Sequence, residues 1–422
     1  MKAIGITSPF TGSGKTSVTI GLLNKYKNSI GVKIGPDYID GMFHTYISGN
    51  RTLNIDRWIQ GRKWRDFLSS VPESTEVVVV EGVMGLFDSG MEIDLSSHWY
   101  FDALGIPYIL VVDVEKMAES AYAMSKGFLG RHCAGVIINN FYSEKHYAMV
   151  SRNFIKNGVK ILASIPHLEK LKIEERHLGL HLPDEVPNLM EKAKIVSSYI
   201  PDDLIQSFGD IDSNRKQLRK TIPQTRKKIK VAMDKAFSFY YSDSLAFLDR
   251  LGDVEFFSPL SGESCEGGSL IYIGGGYPEL YANEISKSRF IRDLKAESLS
   301  DTPIIAECGG MMVTLDTLTT DNGEYKMAGI FSGKSKMGKI PSISYTKLVA
   351  THKTLLFRKG EVAYGHEFHY SRTETPEKLM MENIRGNGIN GKDVLYTSYT
   401  QASYSHFSLA RYGRRLQDIL MR

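Results

Sequence analysis

Two short stretches, far apart in a chain of 422 residues, carry side chains whose types and spacing suit phosphate or covalent chemistry. The first is TSPFTGSGKTS, residues 7–17. Glycines there let the backbone fold tightly enough for N–H groups to face a phosphate, and a helix starting at the lysine adds positive potential. Lys15 can reach the β- and γ-phosphates of ATP, and Thr16 can offer its hydroxyl to Mg²⁺. Pro9 stands where the usual P-loop pattern has its first glycine, while GSGKTS keeps the rest. Thr11, Gly12, Ser13, Gly14, Lys15, Thr16 and Ser17 are therefore the candidate ATP contacts. The second stretch is IIAECGGMM, residues 304–312, with Cys308 between an apolar run and two glycines.

A cysteine at a sharp strand-to-helix turn is presented at the apex, where helix N–H groups favour its thiolate. A lone cysteine is also a common core filler, so spacing alone leaves both readings of Cys308 open. A nucleophile needs a base, commonly a histidine close in space and distant in sequence. His352, His366, His369 and His406 are available, and His406 follows the β-prone run YTSYTQASY. In IYIGGGYPE (271–279) a strand runs into three glycines, and Gly275 and Gly276 are the candidate oxyanion donors. Cys133 and Cys265 read as structural.

Acids gather at the carboxyl ends of expected strands, the edge where open α/β sheets bind ligands. KIGPDYID (33–40) supplies Asp37 and Asp40, and VVVVEGVMGLFD (77–88) supplies Glu81 and Asp88. Glu81 is placed like the acid that binds Mg²⁺ in nucleotide-hydrolysing folds, directly or through water; cap or turn duty is the alternative for each of the four. Asn139, ending AGVIINN, could meet an adenine edge or serve a turn.

The elements that would position these residues alternate. AIGIT (3–7), IGVKIG (30–35), VVVVEG (77–82), YILVVD (108–113), AGVIINN (134–140) and VKILASI (159–165) read as strands with helical patterns between them. Continuous apolar strands separated by helices predict a parallel sheet covered on both faces. The polar, partly basic stretch at 201–228 reads as a helix and an exposed connector. A second α/β alternation starts at IKVAMD (229–234). The expected organisation is an α/β domain at 1–200, a linker at 201–228 and an α/β domain at 229–422.

The bulk composition is that of an ordinary globular protein, 42% hydrophobic and 24% charged. A net charge of +4 calls for no nucleic-acid partner. Three cysteines without a C-x-x-C pair favour neither a disulfide framework nor a zinc site. The N-terminal residues lack the apolar core of a signal peptide, and apolar runs are strand-length. The expectation is a soluble cytoplasmic protein without a membrane partner.

KIGPDYID, VVEGVMGLFD, ERHLGL (175–180), FSFYY (237–241), FFSPL (256–260), GGGYPEL, AECGG, GHEFHYS (365–371) and ASYSH occur in one order along nearly the whole chain. This set resembles the cobyrinic acid a,c-diamide synthase family, glutamine-dependent amidotransferases of cobalamin biosynthesis. The resemblance implies an N-terminal P-loop domain like dethiobiotin synthetase and a C-terminal class I glutaminase domain. It implies Cys308 as glutaminase nucleophile and His406 as its base; in the mechanism expected from this, Gly276 and Gly309 N–H groups could stabilise the oxyanion. Asp37, Glu81 and Asp88 match family acids associated with ATP, metal or substrate, and Asp40 joins them as a candidate. Wider class I glutaminases carry Glu two residues after the histidine; Ser408 stands there, so a Cys–His dyad is expected.

The implied reaction uses ATP, Mg²⁺ and L-glutamine to amidate the a and c carboxylates of a corrinoid polycarboxylate. Ammonia is lost to protonation in bulk water, so a shielded route for it is expected. The same motifs also suit amidation of nickel-sirohydrochlorin on the way to coenzyme F430, or of hydrogenobyrinic acid. A different class is a P-loop regulatory ATPase with an inactive glutaminase-like tail, for which ARYGRRLQDILMR would have to be a membrane-binding helix. Packing against the domain is the expected role of that helix, and a homodimer is one candidate assembly.

Overall fold

The computed structural model describes residues 1–173, 175–176, 179–180, 182–211 and 225–421. Most of the expected linker, 212–224, and part of ERHLGL lie outside the described residues. The chain divides into two compact units, Met1–Arg57 with Arg62–Leu218, and Trp58–Gly61 with Arg219–Arg422.

In the first unit seven parallel strands form one sheet. They are β1 (Lys2–Thr7), β2 (Ser29–Ile34), β3 (Leu53–Ile55), β4 (Val77–Glu81), β5 (Tyr108–Asp113), β6 (Cys133–Phe141) and β7 (Ile161–Pro166), in spatial order β3-β2-β4-β1-β5-β6-β7. The apolar runs are strands because both faces are covered: every residue of β2 and β4 is buried. β1 lies inside the sheet, with β4 and then β2 on one side and β5 on the other, so its carboxyl end opens at the point where the strand order reverses. Helices α1 (Lys15–Lys25) and α2 (Ile39–Ser48) follow β1 and β2. Ile39, Phe43, His44 and Ile47 give α2 its buried face at helical spacing. Next in the chain is α3 (Arg57–Gln60), all but its first residue in the segment grouped with the second unit. Back in the first unit come α4 (Ser97–Leu104), α5 (Ser120–Ser125), α6 (Glu144–Lys156) and α7 (Leu189–Ser198), and the two-residue strands β8 (Glu175–Arg176) and β9 (Gly179–Leu180).

In the second unit, β10 (Lys228–Ala232), β11 (Asp253–Phe257), β12 (Leu270–Ile273), β13 (Ile304–Glu307), β20 (Leu395–Tyr396) and β21 (Thr400–Ser403) form a sheet in the order β11-β10-β12-β13-β21-β20. Only the β20–β21 pair is antiparallel. α8 (Ser242–Leu251), α9 (Ala282–Lys287) and α10 (Arg289–Leu299) lie between strands, and the short α11 (Gly309–Met312) follows β13 directly. A second sheet, beyond the simple alternation expected from the sequence, contains β14 (Thr317–Thr320), β15 (Gly323–Lys326), β16 (Lys334–Ala350), β17 (Val362–Glu374), β18 (Met381–Arg385) and β19 (Lys392–Asp393). Its centre is the long antiparallel pair β16–β17.

The last helix, α12 (Gly413–Leu420), buries Leu416, Ile419 and Leu420 in the cluster that holds Leu248, Phe357 and Phe407. Its apolar face is therefore used in packing. No helix among the described residues is long and apolar enough to cross a membrane.

Candidate active sites

The loop after β1 turns through Gly12 (φ +84°) and Gly14 (φ +92°), left-handed positions that glycine adopts without strain. It delivers Lys15 to the start of α1, where the side chain is buried and its ammonium donates to Ser8 Oγ at 3.0 Å. Burial, reinforced by Lys33, lowers the Lys15 pKa to about 8, against the pull of Glu81, Asp40 and Asp37. Thr16 Oγ1 lies 3.0 Å from Glu81 Oε1 and 3.2 Å from Asp40 Oδ1.

Strand register accounts for this gathering. Lys33 on β2 pairs with Glu81 on β4, and Glu81 in turn pairs with Ile6 on β1. The buried Lys33 ammonium donates to Asp40 Oδ2 at 2.5 Å, Glu81 Oε1 at 3.0 Å and the Gly82 carbonyl at 3.1 Å, with Asp37 Oδ2 at 3.8 Å. His44 Nε2 meets Glu81 Oε2 at 2.6 Å. Burial alone would raise the Glu81 carboxyl, but Lys33 and His44 outweigh it and hold it well below the usual range. Asp40 goes the other way: burial and then Asp37 push its carboxyl well up despite Lys33.

The other candidate residues of this unit have local duties. Asp37 Oδ1 accepts from the N–H groups of Ile39 and Asp40 and so starts α2. Asp88 is exposed and accepts from Gly85 N–H at 2.9 Å, closing its own turn rather than joining the Lys33 cluster. Leu86 N–H of that turn bonds the Ser8 carbonyl, so the turn lies against the phosphate loop. The Asn139 amide donates to the Ser13 carbonyl at 3.1 Å, bracing the loop. Ser13 itself donates to the Phe10 carbonyl at 2.8 Å. Thr11, at the exposed tip of the loop, and Ser17, inside α1, flank these contacts.

Mg²⁺ keeps several waters and is commonly held by one or two carboxylates plus substrate phosphates. The Thr16 hydroxyl with Glu81 and Asp40 oxygens is a set of that kind. Among the described residues no group of three or more His, Cys, Asp or Glu forms a closed cage for a metal.

In the second unit the elbow is a structural fact. Cys308, between β13 and α11, has φ +51° and ψ −104°. A non-glycine residue there costs on the order of 1–3 kcal/mol and persists only where its surroundings impose it. Cys308 N–H is bonded to the Ser403 carbonyl on β21 at 2.7 Å, and Gly310 N–H to the Gly274 carbonyl after β12 at 3.0 Å. The thiol points toward the Phe368 carbonyl at 3.6 Å, and Gly309 N–H bonds the sulfur. Burial first, then Glu279, push its pKa far up against that amide, so the resting group is a thiol.

His406 is buried two residues beyond Tyr404, and its backbone bridges to His366 on β17. A side chain at Gly275 would put its first carbon 2.6 Å from His406 Cε1, 3.1 Å from Nε2 and 3.5 Å from Cys308 Cβ. Gly275 therefore leaves open the space that the cysteine and histidine share. Gly276 N lies 3.3 Å from where a Gly309 side chain would begin, so these two backbones line one spot. His366 is kept neutral, its pKa lowered to about 3 by burial and then by His406 and His369. His369 stacks on Tyr404 and its Nδ1 meets the Ser371 carbonyl, while His352 is exposed at the far end of β16.

Ser408, standing where an acid was expected to be missing, donates to Asp243 Oδ2 at 2.5 Å. Three participants escaped sequence reasoning: Lys33, His44 and Glu307, whose Oε2 lies 3.5 Å from His406 Nδ1. A lysine inside the apolar run SIGVKI was the available signal for the first. For His44 and Glu307, single polar residues on otherwise ordinary elements, there was none beyond type.

Comparison with known proteins gives two family-model matches, a CobB/CobQ-like glutamine amidotransferase domain over residues 228–413 and an AAA domain over residues 48–175. The cobyrinate a,c-diamide synthase of Sulfolobus acidocaldarius is 34% identical, covering 97% of this chain and 98% of its own. That of Saccharolobus solfataricus is also 34% identical, covering 99% and 100%. Among solved structures, PurLQS from Thermotoga maritima aligns with 46% of this chain and 98% of its own, at 12% identity and a TM-score of 0.37. With near-full-length identity at this level, the chain belongs to the cobyrinate a,c-diamide synthase family of glutamine-dependent amidotransferases.

Proposed function

We propose that this enzyme amidates the a and c side-chain carboxylates of cobyrinate, using ATP and ammonia drawn from glutamine. The near-full-length likeness to cobyrinate a,c-diamide synthases carries the choice of substrate. The first unit is the ATP-dependent synthetase and the second the glutaminase.

In the second unit His406 takes the Cys308 proton as the sulfur attacks the glutamine side-chain amide. Gly276 and Gly309 N–H groups, with Gly275 beside them, receive the oxyanion. The nitrogen leaves as ammonia and a γ-glutamyl thioester remains, which water hydrolyses to glutamate. In the first unit ATP lies on Thr11–Ser17, with Lys15 on its β- and γ-phosphates. Mg²⁺, held by Thr16, Glu81 and Asp40 oxygens, would supply charge neutralisation at those phosphates. A substrate carboxylate oxygen attacks the γ-phosphorus, ADP leaves, and ammonia displaces phosphate from the acyl phosphate to give the amide. Asp37 and Asp88, on the loops flanking this centre, are the proposed acids on the substrate side.

Cys308→Ala tests the division of labour. It is expected to lower glutamine-dependent ADP formation with cobyrinate by at least about 10³-fold, while added ammonium chloride restores synthesis. Loss of both activities in a folded variant would refute it. Cobyrinate, hydrogenobyrinate and nickel-sirohydrochlorin compared in the same assay test the substrate.

A further inference from the structure

We propose that Glu307 is the positioning residue of the glutaminase centre, holding the His406 ring with Nδ1 toward its own carboxylate and Nε2 toward Cys308. The inference rests on the reading of Cys308 and His406 given above. Ser408, the position that holds the orienting acid in wider class I glutaminases, is engaged by Asp243 and supplies no carboxylate to the base. The acid arrives instead from the residue immediately before the nucleophile.

Three contacts carry this. Glu307 Oε2 lies 3.5 Å from His406 Nδ1, and both side chains are 2% exposed. Tyr272 on β12 donates its hydroxyl to the same oxygen at 2.8 Å. The N–H of Phe407, the residue after the base, donates to Glu307 Oε1 at 3.0 Å. The carboxylate is thus fixed from β12 on one side and from the histidine's own backbone on the other. A buried carboxylate is costly unless paired and hydrogen-bonded. Tyr272 and Phe407 are neutral donors, so the cationic partner is the imidazolium that forms when His406 takes the thiol proton. Such contacts are often long in the free enzyme and tighten in the substrate complex.

The ring is also presented the right way round. Its Nε2 and Cε1 edge faces the space at Gly275 next to Cys308 Cβ, while Nδ1 faces Glu307. At 3.5 Å the approach is an ion-pair distance and not a formed hydrogen bond; once it closes, the carboxylate favours the proton on Nδ1 and leaves Nε2 free to accept from Sγ. The proton moves from Cys308 Sγ to His406 Nε2. Orienting the ring in this way is the work of the third member of a catalytic triad, performed from a different place in the chain.

Glu307→Gln keeps the shape and removes the charge: its amide oxygen can still accept from Phe407 N–H, while its NH2 meets the Tyr272 hydroxyl, which turns from donor to acceptor. Glutaminase kcat is expected to fall roughly 10²-fold, with KM for glutamine within about twofold and the melting temperature little changed. In ¹⁵N-histidine NMR the wild-type His406 is expected as the Nδ1–H tautomer and the variant as a mixture. A kcat within about threefold of wild type, or an unchanged tautomer, overturns the proposal. Should Glu307→Gln fail to fold, Tyr272→Phe loosens the carboxylate more gently. It is expected to lower kcat several-fold at constant KM, and wild-type kcat with wild-type tautomer there overturns the proposal equally. Cys308→Ala run alongside separates the failures. If it keeps glutaminase turnover, the underlying reading falls too; if it is dead while Glu307→Gln turns over normally, only the role of Glu307 falls.

Discussion

Lys15 is held where burial disfavours its charged form, yet the task proposed for it is to meet phosphate as a cation. With the folded pKa lowered from 10.5 to about 8, the unfolded chain binds more protons between those values. Folding stability therefore rises with pH across that window, by up to about 3 kcal/mol from this group. Ligand binding has the opposite sign. Below pH 8 the ammonium is already present and affinity for a non-hydrolysable ATP analogue is flat; above it, affinity is expected to fall about tenfold per pH unit. Calorimetry in buffers of different ionisation heat should show proton uptake rising toward one between about pH 7.5 and 9. Uptake that stays constant would contradict the assignment of Lys15 to the phosphates. The loop that holds this lysine was legible in the sequence because its motif is local. Lys33 and His44 were not, since they reach Glu81 only through strand register and the docking of α2.

At the scale of elements, the elbow depends on how closely α11 approaches β12. A first carbon at Gly310 would stand 2.3 Å from the Ile273 carbonyl and 2.9 Å from that of Gly274. Both obstacles are backbone. Gly310→Ala must therefore shift α11 and with it the Gly309 amide on the sulfur. The expected cost is about 1–3 kcal/mol of stability together with a fall in glutaminase kcat of at least about tenfold; full activity with an unchanged melting temperature would refute this account. Strands such as VVVVE and YILVVD could be read directly because burial on both faces makes them continuously apolar. β16 and β17 could not. In KSKMGKIPSISYTKLVA charged and polar residues stand among the apolar ones, much of the strand is exposed, and a register shift between Met337 and Ser342 breaks the alternation. β3, three residues long, is too short for any periodicity.

At the scale of the whole molecule, each unit has its own sheet, its own core and its own set of reactive groups. The two half-reactions should then be lost separately. Lys15→Ala is expected to reduce ATP-dependent synthesis by at least about 10²-fold, with ammonium as well as with glutamine. It should leave slow glutamine hydrolysis, measured as glutamate release, within a few-fold of wild type. Synthesis at the wild-type rate would remove the phosphate loop from the reaction. That two α/β units exist was evident from the alternation restarting at IKVAMD. How Cys308, His406 and Glu307 converge in the second was not, because β12, β13 and β21 are neighbours only in the folded sheet.

The bond from Cys308 N–H to the Ser403 carbonyl, with Glu307 paired to Ser403 in the same ladder, has a consequence for motion. Many enzymes assemble their reactive groups on loops that open and close with each cycle. Here the backbone of Cys308 is anchored to that of the strand that leads to His406. On the reaction proposed above, the flexibility needed to admit glutamine and discharge glutamate is expected from the surrounding segments, with Cys308 and His406 keeping their separation from one turnover to the next.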